Sequence, residues 1–531
     1  MLLIFPPVAK PSEPPAGIAK LSGALRARGV SCGTFDANLE GLLWLLEQPK
    51  AGTDTWTRRA IRNVQRNIAA LRHPRTYESF DRYNRAVLDV QRVLEAASGS
   101  QGALVGLADY HHDRLSPVRS ADLLYAAEHP EQNPFYPWFS KRLPEAVERT
   151  FLPLKPQGRD GRQKENGSGD NGSSRMVGFS LNYLSQALTT FAMIGFLRKE
   201  FHRLTIVLGG GLVTSWIRRQ GRFNPFGGLV DHLIAGPGEK PLLRMLGAAD
   251  AESIDTEPDY GSLVGHDYLS PGFILPYSGS SGCYWNKCSF CPEKAEGNPY
   301  APVPAAKAMS DLGSLTAKWK PVMVHLLDNA VSPSLMAALA ARPHGAPWYG
   351  FARIGKDLAD LDYCMALRRS GCGMLKLGLE SGDQGVLDAM EKGLDLETAS
   401  RALTNLKRAG IPTYVYLLFG TPVETLHEAR KTLQFTVDHA GAISHLNLAV
   451  FNMPVCGREA GAFEAEPFSD GDLPLYGGFR HPRGWDRKSV RRFLDFEFKR
   501  HPAVSAILRS EPRIFTSNHA ALFHRSNQNH T

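Results

Sequence analysis

The stretch FILPYSGSSGCYWNKCSFCPE, residues 273–293, joins a short apolar run to a loop carrying Cys283, Cys288 and Cys291. An apolar run of this length, bounded by Gly and Ser, reads as a buried strand, so the cysteines stand on the loop leaving its carboxyl end. Three of the chain's seven cysteines fall within nine positions. Where thiols stay reduced, so tight a cluster holds metal more often than it forms disulfides. Thiolates hold iron–sulfur clusters, and three of them leave one iron open. A structural zinc site normally closes with four N or S ligands, and here it would need a distant fourth, the next candidates being His325 and Cys364.

The pattern extends in both directions. Downstream, VMVHLLD, WYGFARI, GMLKLGLES, PTYVYLLFG and HLNLAVF are apolar β runs separated by helical segments such as LETASRALTNLKRAG. Six strands alternating with helices predict a full or partial β/α barrel over 256–460, with its chemistry on the loops after the strands. Upstream, LLIF, SCGTFDANL, MVGFSLNY, LTIVLGGGLVT and DHLIAGPGE predict a five-stranded doubly wound domain made of 1–45 and 176–255. Its ligand crevice belongs at the carboxyl ends of the strands. Between these halves, 46–175 reads as a helical, Arg-rich insertion ending in KPQGRDGRQKENGSGDNGSSR, whose composition cannot bury a core and predicts a disordered linker. Residues 461–531 form a C-terminal extension, a helix and then an apolar segment placed to cover the barrel mouth.

At 531 residues, 43% apolar and 21% charged, the chain has a multidomain globular composition. The net charge of +8 comes from scattered basic residues, which argues against nucleic acid as a partner. The opening MLLIFPPVAKPSEPP lacks a charged n-region, and no run of about 18 apolar residues occurs, so neither a secretory signal nor a membrane span is expected. The cytoplasm is the expected compartment. Cys32, Cys364, Cys372 and Cys456 lie far apart and are expected to be buried small hydrophobes.

On these residues the chain resembles the radical S-adenosylmethionine (SAM) superfamily over about 274–456. The family's CxxxCxxC pattern, with an aromatic before the last cysteine, stands here as CYWNKCSFC, with Phe290 in place and one extra residue in the first gap. The segment RRSGCGMLKLGLESGDQGVLDAMEKGLDLETASRALTNLKRAGIPTYVYLLFGTPVET is similar to the barrel of radical enzymes bearing cobalamin-binding domains. The resemblance implies that Cys283, Cys288 and Cys291 hold a [4Fe-4S] cluster whose open iron chelates SAM. Reductive cleavage would then give methionine and a 5′-deoxyadenosyl radical, with electrons from an external donor of flavodoxin or ferredoxin type. It also implies cosubstrate contacts. Asp328 and Asn329 would accept from the amino group, Arg353 would clamp the carboxylate, Glu380 and Ser381 would meet the ribose or sulfonium end, and Gly420 would approach the adenine. A helix cap for Asp328, ion pairs for Arg353 and Glu380, and a turn for Gly420 are the plain structural alternatives.

The N-terminal domain resembles the cobalamin-binding domains of such enzymes. Ser180 in GFSLNY precedes Gly209 and Gly210 by about the family interval, Gly211 follows them, and Glu239 stands in AGPGEKPLLRML, which matches the last turn. Asn38, at a strand end near the expected crevice, joins this set, with a turn or cap as the alternative for it and Asp36. The DxHxxG signature of a histidine ligand to cobalt is missing. DYHHDR at 109–114 has Asp109 and His111 but Arg114 in the glycine's place, in a context that reads as helical. The expectation is thus an α/β protein, a Rossmann-like cobalamin-binding-type domain followed by a partial (β/α)6 TIM-like barrel. Its activity would be cobalamin-dependent C-methylation of a small molecule or peptide. Two readings compete: a radical enzyme catalysing a rearrangement, cyclisation or RNA modification, and a zinc-stabilised binding protein without catalysis.

Overall fold

The computed structural model describes residues 1–48, 52, 54–99, 102–151, 175–220, 224–248, 256–265, 267–457, 461–466, 468, 470–512 and 520–523. The expected linker falls on 152–174 and lies outside the described residues. The chain opens with β1 (Leu2–Phe5) and β2 (Gly33–Asp36), then forms a hairpin of β3 (Ala103–Val105) and β4 (Tyr110–His112). β5 (Arg175–Ser180), β6 (Leu204–Gly209) and β7 (His232–Leu233) follow. The parallel sheet runs β2-β1-β5-β6-β7, a doubly wound order whose switch point lies between β1 and β5.

Side chains along these strands alternate between two layers. Leu2, Ile4, Val177, Phe179, Ile206 and Leu208 face a core shared with the insertion helices Phe80–Ser98, Ser120–Glu128 and Tyr136–Phe151. Leu3, Phe5, Met176 and Val207 face Ile18, Ala19 and Leu25 of the helix Ala16–Arg26. That second layer is continuous with the outer face of the downstream barrel. Each side chain buried in it contributes about 1.5–3 kcal/mol, so the two sheets are held by one apolar layer. The insertion is not wholly helical, because the DYHHDR stretch forms the turn and second strand of the β3–β4 hairpin. Three-residue strands are too short to show a period among long helices.

The barrel begins at β8 (Ile274–Tyr277), followed by the short antiparallel pair β9 (Ser280–Ser281) and β10 (Ala301–Pro302). Its remaining strands are β11 (Met323–Leu326), β12 (Trp348–Ala352), β13 (Cys372–Glu380), β14 (Thr413–Phe419) and β15 (His445–Val450). They pair in parallel and in sequence order from β8 to β15, a six-stranded partial barrel with two edges. Leu275, Leu326, Leu375 and Leu377 point outward, while Ile274, Met323, Tyr349, Met374 and Tyr414 form a separate inner floor at the amino ends of the strands.

After β15, β16 (Met453–Pro454) pairs with β18 (Tyr476–Phe479), which with β17 (Ala465–Glu466) belongs to the C-terminal extension, and the three form a small antiparallel sheet. Phe493 and Phe498 then pack on Phe419 at the carboxyl end of β14. Ala520 and Phe523 go to the opposite end and close the floor. Among the described residues no helix is long and apolar enough to cross a membrane.

Candidate active site

The cysteine loop leaves β8 and is closed at its base by the β9–β10 pair and by the Val303 N–H donating to the Gly279 carbonyl at 2.8 Å. Gly282 must be glycine: its φ is +71°, and a Cβ there would lie 2.5 Å from the Pro299 carbonyl oxygen. The longer first gap is accommodated through Asn286, at φ 43°. It carries Trp285 across to the turn after the helix Gln384–Ala389, where the indole N–H donates to the Glu391 carbonyl at 3.1 Å. The ring occupies the space any side chain at Gly393 would need, and the Arg353 guanidinium stacks over it at 4.0 Å. The extra residue thus gives the loop an aromatic buttress.

All three thiols are free, Cys288 buried and Cys283 and Cys291 half-buried. Among the described residues no three His, Cys, Asp or Glu side chains converge as a preformed metal site. Burial pushes the Cys288 thiol up, while the nearby Lys392 and Arg353 cations pull it back. Burial likewise pushes Cys291 up to about 11. Three thiols on one loop with cations beside them match the chemistry of an anionic thiolate-held cluster.

The structure sorts the expected cosubstrate residues. Asp328 is buried and accepts from the Gly279 N–H, at 3.0 Å, and from the Ser280 hydroxyl, so it pins the start of the cysteine loop. Neither the amino-group contact nor the helix cap expected of it fits, since Ser332 caps the helix Pro333–Ala341. Asn329 stays exposed beside it and donates to the Gly282 carbonyl at 3.3 Å. Arg353 is not a free carboxylate clamp, because its guanidinium donates to the Lys392 carbonyl at 2.6 Å. Glu380, at φ 69°, pairs with Lys392 at 2.8 Å, and the Lys392 ammonium lies 5.6 Å from the Phe290 ring. Phe290, Arg353 and Glu380 therefore gather around the cysteine loop, joined by Lys392.

Ser381 departs from expectation. It is fully buried, and its hydroxyl engages Thr432 and the Asp383 N–H, which removes it from any ligand surface. Gly420, at φ +80°, lines a different cavity of about 400 Å³ with Phe451, Trp485 and Arg487. Trp285 and Lys392 were missed at the sequence level; the long Cys283–Cys288 gap was the available signal for the first, and Lys392 offered none.

A larger cavity, of about 570 Å³, opens between the two sheets. Ser180, Gly209, Gly210, Gly211 and Glu239 line one wall, and Ser281, Gly282 and Pro292 of the cysteine loop line the other. Its volume falls in the range of cofactor pockets. Gly210 has φ +113°, and a Cβ there would lie 2.4 Å from the Leu181 carbonyl oxygen. Asn182 braces this wall, accepting from the Gly211 N–H at 3.0 Å and donating to the Ser180 hydroxyl at 3.1 Å. Thr214 donates to the Gly210 carbonyl and accepts from the Gly236 N–H, each at 2.9 Å. Glu239 pairs with Lys20 at 3.1 Å. The glycine-rich wall with ordered backbone N–H groups suits a flat ligand that must approach the main chain closely.

Asn38 does not belong to the cavity. It is buried in the first turn of the helix Ala37–Leu46, where its amide clamps the Ala9 backbone from both sides, at 2.7 and 3.0 Å. Asp36 caps that helix through the Leu39 N–H. Cys32, Cys364 and Cys372 are buried as expected, whereas Cys456 is only half-buried.

A parallel β/α half-barrel with three cysteines on the loop after its first strand is the architecture of a radical SAM domain. Residues 277–436 match the model of the Radical SAM superfamily, and this segment of the chain belongs to it. The cofactors of that family are a [4Fe-4S] cluster and SAM. An uncharacterised protein of Methanopyrus kandleri is 32% identical over 81 residues, 15% of this chain and 14% of that one. Among solved structures, the radical SAM methyltransferase TsrM of Kitasatospora setae, with cobalamin and a [4Fe-4S] cluster bound, aligns at 14% identity and a TM-score of 0.48, covering 85% of this chain and 75% of that one. The cobalamin-dependent radical SAM enzyme OxsB aligns at 17% identity and a TM-score of 0.41, covering 49% of this chain and 43% of that one. The matches to the Methanopyrus protein and to OxsB thus span less than half of either relative.

Proposed function

We propose that this protein is a cobalamin-dependent radical SAM enzyme that methylates an unactivated carbon of a small molecule or peptide. The observation that supports it best is the shared cavity, walled on one side by the glycine turns at the carboxyl edge of the N-terminal sheet and on the other by the cysteine loop. Cys283, Cys288 and Cys291 would hold the cluster, with Trp285 and the β9–β10 pair fixing the loop. Ser180, Gly209, Gly210, Gly211 and Glu239 would bound the cobalamin, and the DxHxxG histidine has no counterpart to ligate cobalt from below. Bound there, these groups supply reductive cleavage of SAM and a transferable methyl. The chain's own part is to orient and to exclude water. Asn329, after β11, and Glu380, at the end of β13, face the cluster loop, and Lys392 holds Glu380 in place. The two domains 1–45 with 176–255 and 256–460 would act as one unit across the cavity, with a flavodoxin- or ferredoxin-type donor as the electron source.

Anaerobic reconstitution with iron, sulfide and cobalamin, followed by assay for 5′-deoxyadenosine and S-adenosylhomocysteine, tests this reading. Both products, with roughly four irons per chain, are expected. One zinc and no iron would support the non-catalytic reading, and deoxyadenosine without S-adenosylhomocysteine the non-methylating one.

A further inference from the structure

Between the floor and the mouth of the half-barrel lies a polar chain that the proposed cofactors do not use. Nδ1 of His325, on β11, is 2.9 and 3.0 Å from the two carboxylate oxygens of Glu13, and its Nε2 is 3.0 Å from the Lys376 ammonium nitrogen on β13. The imidazole stacks on Tyr349 with ring centroids 4.3 Å apart, and Lys376 Nζ lies about 5 Å from the Tyr349 and Phe351 rings. Glu13 is not a barrel residue. It comes from the loop between β1 and the helix Ala16–Arg26, the switch-point loop of the N-terminal sheet.

The depth of this chain in the barrel decides what it can do. Along β13 the inward positions are Met374, Lys376, Gly378 and Glu380. Met374 belongs to the closed apolar floor, and Lys376 is 1% exposed. Above it, Phe351, Gly378, Tyr416 and Asn447 are half-buried, and the Glu380–Lys392 pair stands over Gly378. Lys376 is thus a buried cation below the half-buried carboxyl half of the lumen. A lysine that served only to pin Glu13 would pair with it directly, since attraction falls as charges separate. Here an imidazole stands between them, donating from Nδ1 to the carboxylate and leaving the Nε2 lone pair to accept from the lysine, an arrangement that fixes the tautomer.

Other charges bear on this amine. Glu13 and Lys10 come from the switch-point loop, and Asp109 of the β3–β4 turn faces Lys10. Tyr183, Tyr260 and Tyr349 face Glu13, and Glu380 stands at the top of the same strand. Burial dominates and brings Lys376 down to about 7, with Glu13 raising it and Lys10 lowering it further. Near neutral pH, then, both the amine and the ammonium are populated.

We propose that Lys376 is the acid–base residue of the half-barrel, with His325 and Glu13 as its positioning residues, and that the substrate carries a weakly acidic N–H, O–H or carbonyl-activated C–H. The Lys376 amine takes that proton and becomes an ammonium, and the electron pair stays on the substrate. The new charge is met by the Tyr349 and Phe351 ring faces and, through His325, by Glu13. This deepens the enzyme reading above and rests on it for the presence of a substrate in the lumen.

Trace labelling of the reconstituted full-length protein with acetic anhydride between pH 5.5 and 9.5, read lysine by lysine by peptide mass spectrometry, tests the proposal without knowing the substrate. Lys376 should acetylate with a midpoint near 7, giving a neutral fraction at pH 7 on the order of a thousandfold above that of an ordinary lysine. Glu13→Gln should move that midpoint down, because the charge that favours the ammonium is lost. A Lys376 that stays unlabelled while surface lysines react, or one with a midpoint near 10, would overturn the proposal. Failure of the same wild-type preparation to cleave SAM would instead count against the enzyme reading and leaves the lysine result standing.

Discussion

The glycine-rich edge of the N-terminal sheet and the inside of the half-barrel are built from opposite materials. The N-terminal wall presents backbone at Gly209, Gly210 and Gly211, braced by the neutral side chains of Asn182 and Thr214, and its charges are led by the Lys20–Glu239 pair. The inside of the half-barrel, beyond the cysteine loop that closes the cavity, is charge, with Glu380 on Lys392, Arg353 over Trp285, and the Glu13–His325–Lys376 chain below. A backbone wall fails when a side chain is added, whereas a charged wall fails when one is taken away. Under the proposed function, the first domain would recognise shape and the second would handle electrons and protons.

The comparison breaks hardest at the cysteines. Cys288→Ala should abolish iron retention and SAM cleavage; full cleavage by that variant would end the cluster assignment. On the backbone wall, Gly210→Ala must carry a left-handed φ and a 2.4 Å approach to the Leu181 carbonyl, for a loss of roughly 4 kcal/mol in urea unfolding. On the charged wall, Lys392→Met leaves the Glu380 carboxylate, 13% exposed, without its partner, at a cost of about 3 kcal/mol. Adding Glu380→Gln should recover much of that loss, whereas no second substitution of charge should rescue Gly210→Ala.

Acid sharpens the same contrast with a smaller effect. His344, buried before β12 with neither ring nitrogen hydrogen-bonded, is brought down to about 4 by burial. Its folded value lies below the unfolded 6.5, so its contribution is intact above about pH 6.5 and is lost as pH falls from there toward 4. The wild type should lose about 3 kcal/mol over that window, and His344→Leu should flatten the slope. An unchanged slope in the variant would place the acid sensitivity elsewhere.

How far these walls could be read from sequence follows from how local each is. The strands were legible because buried parallel strands are unbroken apolar runs, and LLIF or GMLKLGLE can hardly be anything else. The cysteine loop and the glycine turn were legible for the same reason, each being a contiguous motif. What escaped was made by tertiary contact: Lys392 reaching Glu380, Trp285 seated on Gly393, and Glu13 entering the barrel from another domain to meet His325. Asn38 and Ser381 misled because a polar residue at a strand end looks alike whether it faces a ligand or holds the main chain. Their burial and their partners decide, and neither is written in local sequence.

The claim on which the rest depends is that one cavity serves both domains. Gly209 lines it, has no left-handed φ, and has only Ile234 within contact range of an added Cβ, at 3.7 Å, so Gly209→Leu should fill the cavity while the fold survives. Cobalamin and iron retained per chain after anaerobic reconstitution and gel filtration give the test. The wild type should keep one cobalamin and roughly four irons, and Gly209→Leu should keep the iron and lose the cobalamin. Equal cobalamin in the two proteins, or none in the wild type, would contradict the account.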